Sequence, residues 1–171
     1  RVQNAIPLSG FEDVRSSYQM IKAMLRAYPD IDIDPDKLMI ISPDEGGMGK
    51  CMYYSSVMGI DLGMFYKRRD YSVVINGRNP IVAHEYLGAD VAGKNLIIVD
   101  DMIDTAGTIC MAANMLMDKG AKSVRAVITH PVLSGAAYER INESQLQEVI
   151  VTDTIPLNPE KDLSKFTVLS V

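Results

Sequence analysis

The sequence has no tryptophan, three phenylalanines, two histidines and two cysteines among its 171 residues. Cys51 and Cys110 both fall in predicted helices and read as free, buried thiols of a reducing cytoplasm. The two histidines, His84 and His130, have no second ligand at a recognisable metal spacing, which gives both structural or exposed roles. Long basic runs are missing: 17 Lys and Arg stand against 22 Asp and Glu, a net charge of −5. That balance excludes general binding to nucleic acid or to a membrane surface, so any phosphate site must be built locally. No apolar run approaches the length of a membrane span, and no signal-peptide pattern, internal repeat or low-complexity tract is visible.

What is present is ordinary for a globular domain: 47% hydrophobic and 23% charged residues. The length suffices for one domain with a sizeable core. The eleven methionines are scattered and read as core filling. The pattern predicts a helix from about residue 10 to Tyr28, capped by Ser9, with Phe11, Val14, Ile21, Met24 and Leu25 on its apolar face. A strand follows at Leu38–Ser42, a helix through about Met58, and a strand at Leu62–Tyr66. Next come a turn-rich stretch over 71–80 and a short strand at Ile81–Leu87. A strand at Leu96–Val99 leads to a helix over Ile109–Met117 that stops near Lys119 and Gly120. Strands at Ser123–Thr129, Glu148–Thr152 and Phe166–Val171, with a helix from Ser134 to Ile141, complete an α/β domain. Its sheet is mainly parallel and flanked by helices.

The organising stretch is Leu96 to Thr108. Four apolar residues, three of them β-branched, form a buried strand that runs into Asp100 and Asp101; Asp104, Thr105, Ala106, Gly107 and Thr108 then lead into a helix. A helix N-terminus offers free N–H groups to an anion, and phosphate suits it. Gly107 permits close backbone approach, and Thr105 and Thr108 add hydroxyls. The paired aspartates can accept hydrogen bonds from a vicinal diol or help to hold hydrated Mg²⁺. Together they describe a receptor for a phosphorylated sugar at the carboxyl end of a strand. Two further strand ends carry chemistry. Ser42-Pro43-Asp44-Glu45-Gly46-Gly47 offers Asp44 to Mg²⁺ or the sugar, or as a turn or helix-cap residue. Lys67-Arg68-Arg69 supplies three cations that can neutralise phosphoryl charge.

Val99-Asp100-Asp101-Met102-Ile103-Asp104-Thr105-Ala106-Gly107-Thr108 resembles the ribose-5-phosphate signature of the type I phosphoribosyltransferase fold. With Ser42-Pro43-Asp44, Lys67-Arg68-Arg69, Thr129-His130, Ser134-Gly135, Glu139-Arg140-Ile141 and Gln147 to Pro156, it is similar to the ribose-phosphate pyrophosphokinase family from Leu38 onward. The resemblance implies transfer of a diphosphoryl group from Mg·ATP to the C1 hydroxyl of ribose 5-phosphate, giving phosphoribosyl pyrophosphate and AMP. It implies Lys67 and Arg69 as catalytic-loop cations and Asp44 as the Mg²⁺-associated aspartate. It also implies Arg69, Asp100, Asp101 and Asp104 to Thr108 as the ribose-5-phosphate site.

Family members have two similar α/β domains per subunit and sites that involve neighbouring subunits. The resemblance thus implies that residues 1–171 are the second domain of a homo-oligomer's subunit, without the first domain and the last helix. The segment 70–88 is longer than, and unlike, the family's usual loop. Two alternatives share parts of the pattern: a phosphoribosyltransferase that consumes phosphoribosyl pyrophosphate, and a non-catalytic regulatory subunit of the synthetase type.

Overall fold

In the computed structural model, residues 16–69, 72, 74 and 81–170 are described, with only the backbone at 69, 81 and 82. The elements in chain order are α1 (Ser17–Ala27), β1 (Leu38–Ser42), α2 (Met48–Met58), β2 (Asp61–Arg69), β3 (Ile81–Leu87), β4 (Asn95–Ile103), α3 (Gly107–Asp118), β5 (Ser123–Pro131), α4 (Ala137–Glu143), β6 (Glu148–Thr152) and β7 (Phe166–Leu169). A short 3₁₀ turn, Glu45–Gly47, precedes α2. Ser9, Phe11, Val14, most of 71–80 and Val171 lie outside the described residues.

The seven strands form one sheet in the order β3-β2-β1-β4-β5-β6-β7. Every neighbouring pair is parallel except β2 with β3. The expected α/β architecture is therefore observed. Strand alternation builds two cores. On one face Met39, Ile41, Leu96, Ile98, Val124 and Ile128 pack with Ile109, Ala113 and Leu116 of α3 and Ile141 of α4. On the other, Leu38, Ile40, Ile97, Val99, Val127 and Ile150 pack with Met20, Ile21 and Met24 of α1 and Cys51, Tyr54 and Met58 of α2. A strand buried on both faces reads as a continuous apolar run, which is how β1 and β4 announced themselves. Both cysteines are free and buried, as expected. No helix among the described residues is long and apolar enough to cross a membrane.

Three boundaries differ from the sequence expectation. The first helix is described from Ser17, and the earlier part of the expected segment lies outside the described residues. β2 continues through Lys67, Arg68 and Arg69 because β3 returns antiparallel along it, pairing Lys67 with His84 and Arg68 with Ala83. β4 continues past Val99 because β5 follows it, pairing Met102 with His130 and Ile103 with Pro131. α4 begins at Ala137 rather than Ser134, because Gly135 takes a left-handed φ of 59°, which a right-handed helix cannot include.

The β2–β3 pair is locked by Tyr86. Its ring lies 5.6 Å from that of Phe65, its hydroxyl donates to the Ala89 carbonyl at 2.8 Å, and it covers Gly63. An alanine Cβ at Gly63 would stand 2.5 Å from the Tyr86 hydroxyl oxygen. Gly63→Ala is therefore expected to destabilise the fold by about 1–3 kcal/mol in urea unfolding, and the loss should largely vanish in a Tyr86→Ala background.

Candidate functional site

The chain reverses its direction of travel across the sheet between β1 and β4. From β1 it moves to β2 and β3 on one side; from β4 it moves to β5, β6 and β7 on the other. The loops after β1 and β4 consequently part and leave a crevice at their carboxyl ends, the usual ligand position in open α/β sheets. Asp44 and Asp100 border both cavities found there. One, of about 150 Å³, is lined further by Asp104, Thr105, Gly107 and Thr108. The other, of about 380 Å³, is lined further by Gly46, Gly47, Lys50 and Asp101. A further cavity, of about 410 Å³, lies between α1 and the amino ends of the strands and is lined by none of the predicted site residues.

Residues of the β1 loop are held by local bonds. The Ser42 hydroxyl donates to the Asp44 carbonyl at 2.6 Å, and the Asp44 carboxylate accepts from the Gly47 amide at 3.1 Å. Asp44 is thus a cap of the 3₁₀ turn as well as a residue of the crevice. Gly47 is required by space, since a Cβ there would stand 2.9 Å from the Ser42 hydroxyl. Lys67 extends to within 4.0 Å of the free side of the Asp44 carboxylate. Arg68 instead pairs with Glu85 at 3.4 Å, and the Tyr66 hydroxyl donates to the same Glu85. Because β2 remains pleated, neighbouring cations point to opposite faces, so Lys67 reaches the crevice and Arg68 does not. The Arg69 side chain lies outside the described residues.

The β4 loop presents a different surface. Asp100 is half-buried, Asp101 and Asp104 are exposed, and Ile103 between them anchors the strand in the core. Ala106 takes a left-handed conformation with φ of 63°, which sets Gly107 at the head of α3 with no side-chain cap. The first-turn amides of α3 therefore remain available to an anion. Burial, then a hydrogen bond with Asp101, pushes the Asp100 carboxyl up to about 7. Asp101 moves down: burial opposes its charge, but the hydrogen bond with Asp100 and the attraction of Lys50 outweigh it. The pair thus shares its titration and holds less than two full charges near neutrality.

Lys50, Ser134 and Arg140 were not singled out as site residues, and His84 was given a structural or exposed role. A signal for Lys50 existed: a cation in the first turn of α2 opposes the helix dipole, which favours anions there. His84 gains its place only by standing opposite Lys67 in the β2–β3 ladder. Burial first, then the Lys67 charge, lowers its basicity. His130 ties β5 to the β6 loop through Thr154 at 3.0 Å, the structural role expected of it. Among the described residues no three carboxylate, imidazole or thiol groups gather into a metal cage. Asp44, Asp100 and Asp101 offer oxygen donors of the kind that hold Mg²⁺ jointly with water and substrate phosphates.

Residues 74–169 match the phosphoribosyl synthetase-associated domain, and the chain belongs to that family. It is similar to the ribose-phosphate pyrophosphokinase of Wolinella succinogenes, with 47% identity over 78% of this chain and 40% of that protein. The enzyme of the same name from Oceanobacillus iheyensis is 39% identical over 98% of this chain and 50% of that protein. The crystal structure of phosphoribosylpyrophosphate synthetase from Mycobacterium smegmatis superposes with a TM-score of 0.76 and 34% identity, covering 92% of this chain and 47% of that one. An APRTase from Giardia lamblia, 10% identical with a TM-score of 0.58 over 80% of this chain and 77% of that one, shares the fold alone. The chain spans about half, or less, of the length of these synthetase relatives.

The half-buried Asp100 makes a prediction about stability. Its folded-state pKa lies above the ordinary carboxylate value, so between about pH 4 and 7 the folded chain holds more protons than the unfolded chain. Stability contributed at this position falls as pH rises through that window. Asp100→Asn should therefore stabilise the protein by about 1–2 kcal/mol at about pH 8 and have no effect near pH 3.5, measured by urea unfolding at each pH.

Proposed function

We propose that this chain is the sugar-phosphate-binding half of a ribose-phosphate pyrophosphokinase. The parent protein would transfer a diphosphoryl group from Mg·ATP to the C1 hydroxyl of ribose 5-phosphate, giving phosphoribosyl pyrophosphate and AMP. One observation carries the reading: the β1–β4 crevice joins an uncapped helix N-terminus, a carboxylate pair and a lysine facing Asp44. The names of the similar proteins support it.

The 5-phosphate would sit on the amides and hydroxyls of Thr105 to Thr108, with Ala106 and Gly107 allowing close approach. Asp100, Asp101 and Asp104 would accept hydrogen bonds from the ribose hydroxyls or from water bound to the metal. The C1 oxygen then bonds to the β-phosphorus as the bond from that phosphorus to the oxygen on the α-phosphate breaks. AMP leaves with that oxygen, and the hydroxyl proton is released. Such a transfer needs positioning and charge neutralisation more than a covalent nucleophile. Lys67, with Arg69, would stabilise the charge that develops on the transferred group and leaving oxygen. Asp44 would hold Mg²⁺, which when bound supplies charge neutralisation on the phosphates.

The reading includes a first domain that contributes much of the ATP site, assembly into a homo-oligomer, and residence in the cytoplasm, where both thiols stay reduced. It involves neither nucleic acid nor a membrane.

Three outcomes test it. With ATP, ribose 5-phosphate and Mg²⁺, the intact protein should form phosphoribosyl pyrophosphate and AMP by phosphorus NMR. Lys67→Ala should lower the turnover number by about 10²–10³-fold while leaving ribose 5-phosphate affinity nearly unchanged. Binding without turnover would favour a non-catalytic relative, and pyrophosphate release that requires a nucleobase would favour a phosphoribosyltransferase. The isolated 171-residue chain should bind ribose 5-phosphate weakly and show little turnover; robust synthesis by it would overturn the two-domain reading.

A further inference from the structure

Ala106 and Leu133 are the non-glycine residues with positive φ among the described residues, at 63° and 52°. Each left-handed residue of this kind costs about 1–2 kcal/mol and persists only where its surroundings hold it. The two lie in loops that follow neighbouring strands, β4 and β5, whose last register pair is Ile103 with Pro131. Four hydrogen bonds join these loops and the helix beyond them. The Leu133 amide donates to the Ile103 carbonyl at 3.0 Å, and the Ser134 amide to the Asp104 carbonyl at 3.1 Å. The Ser134 hydroxyl donates to the Asp104 carboxylate. From α4, Arg140 donates through Nη1 to the Thr105 carbonyl at 2.8 Å.

We infer that Arg140 and Ser134 form a brace that holds the 104–108 loop in its anion-receiving conformation before ligand arrives, which makes Arg140 a positioning residue for the sugar phosphate. The inference rests on the function proposed above for that loop.

The peptide between Thr105 and Ala106 is the lever. In a planar trans peptide the carbonyl and the N–H point in opposite directions. By taking the Thr105 carbonyl, Arg140 turns the Ala106 N–H away from itself. The left-handed Ala106 followed by the helical Gly107 then presents consecutive amides to one side, as anion-binding nests do. A flip of that peptide would exchange an N–H for a carbonyl beside the phosphate. Ser134 acts on charge: its hydroxyl occupies one oxygen of Asp104, a carboxylate that would otherwise be free to turn toward the anion. The guanidinium holds the loop through a backbone carbonyl, at Thr105.

The test uses the intact protein with Arg140→Ala, Arg140→Lys and Ser134→Ala. Amide hydrogen exchange reads the brace without substrate, at Leu133, Ser134 and Cys110, whose N–H groups bond to Ile103, Asp104 and Ala106. Arg140→Ala should speed exchange there about tenfold, with Ile40 in β1 unchanged as the control for folding. The KM for ribose 5-phosphate should rise about tenfold, with the KM for ATP and the turnover number within about twofold. Arg140→Lys, which keeps a charged donor, should recover most of both effects. Ser134→Ala should raise the KM for ribose 5-phosphate less than Arg140→Ala does. Unchanged exchange at the three amides in Arg140→Ala overturns the brace, and so does an unchanged KM for ribose 5-phosphate. If the unsubstituted protein neither binds ribose 5-phosphate nor forms phosphoribosyl pyrophosphate, the proposed function falls, and exchange alone decides the brace.

Discussion

Parallel pairing of β1 with β4, with the chain leaving the pair in opposite directions, is the constraint on which the molecule depends. It buries Ile40, Ile41, Ile97 and Ile98 completely or nearly so at the centre of the sheet. It also forces the two following loops apart. Stability and site geometry therefore share one cause: the most buried strands end at the place where covering chain is missing. Cys51 marks the join, its thiol directed at the Ile41 and Val99 carbonyls where the pairing of the two strands ends.

The crevice is a place of managed conflict. Four carboxylates border it, and partial burial already raises the affinity of Asp100 for a proton. Lys67 and Lys50 offset this charge from two different elements, β2 and α2. A left-handed alanine adds backbone strain at the adjoining helix N-terminus. A fold selected for stability alone would keep none of these. Each is intelligible where a polyanionic ligand and a divalent cation supply the missing partners, which is the chemistry proposed for the parent protein.

The β2–β3 pair shows how strand pairing decides where a charged group points. Lys67, Arg68 and Arg69 in a loop would be three interchangeable cations. Within a strand, the pleat sends Lys67 toward Asp44 and Arg68 toward Glu85. Antiparallel return of β3 makes that distinction, and Tyr86 over Gly63 holds it in register. The contribution of a charged residue is thus decided by a hydrogen-bond ladder rather than by its neighbours in sequence.

Sequence alone determined the α/β class and the centre of the sheet, and it marked the strand ends for which chemistry is proposed. Runs such as Leu96-Ile97-Ile98-Val99 state their burial through composition, and Asp104 to Thr108 offers residue types that suit an anion locally. Only the tertiary structure decided which groups meet. Asp44 and Asp100 are far apart in the chain, and the switch of strand order brings them to the same crevice. Arg140 reaches Thr105 from a helix 35 residues away, a bond with no local trace in the sequence. Strand ends were misjudged for the same reason: polar residues such as Lys67 and Asp101 read locally as loop, while backbone pairing with a distant strand keeps them extended. Local pattern reports what each segment can bury, and pairing between segments fixes where each polar group points.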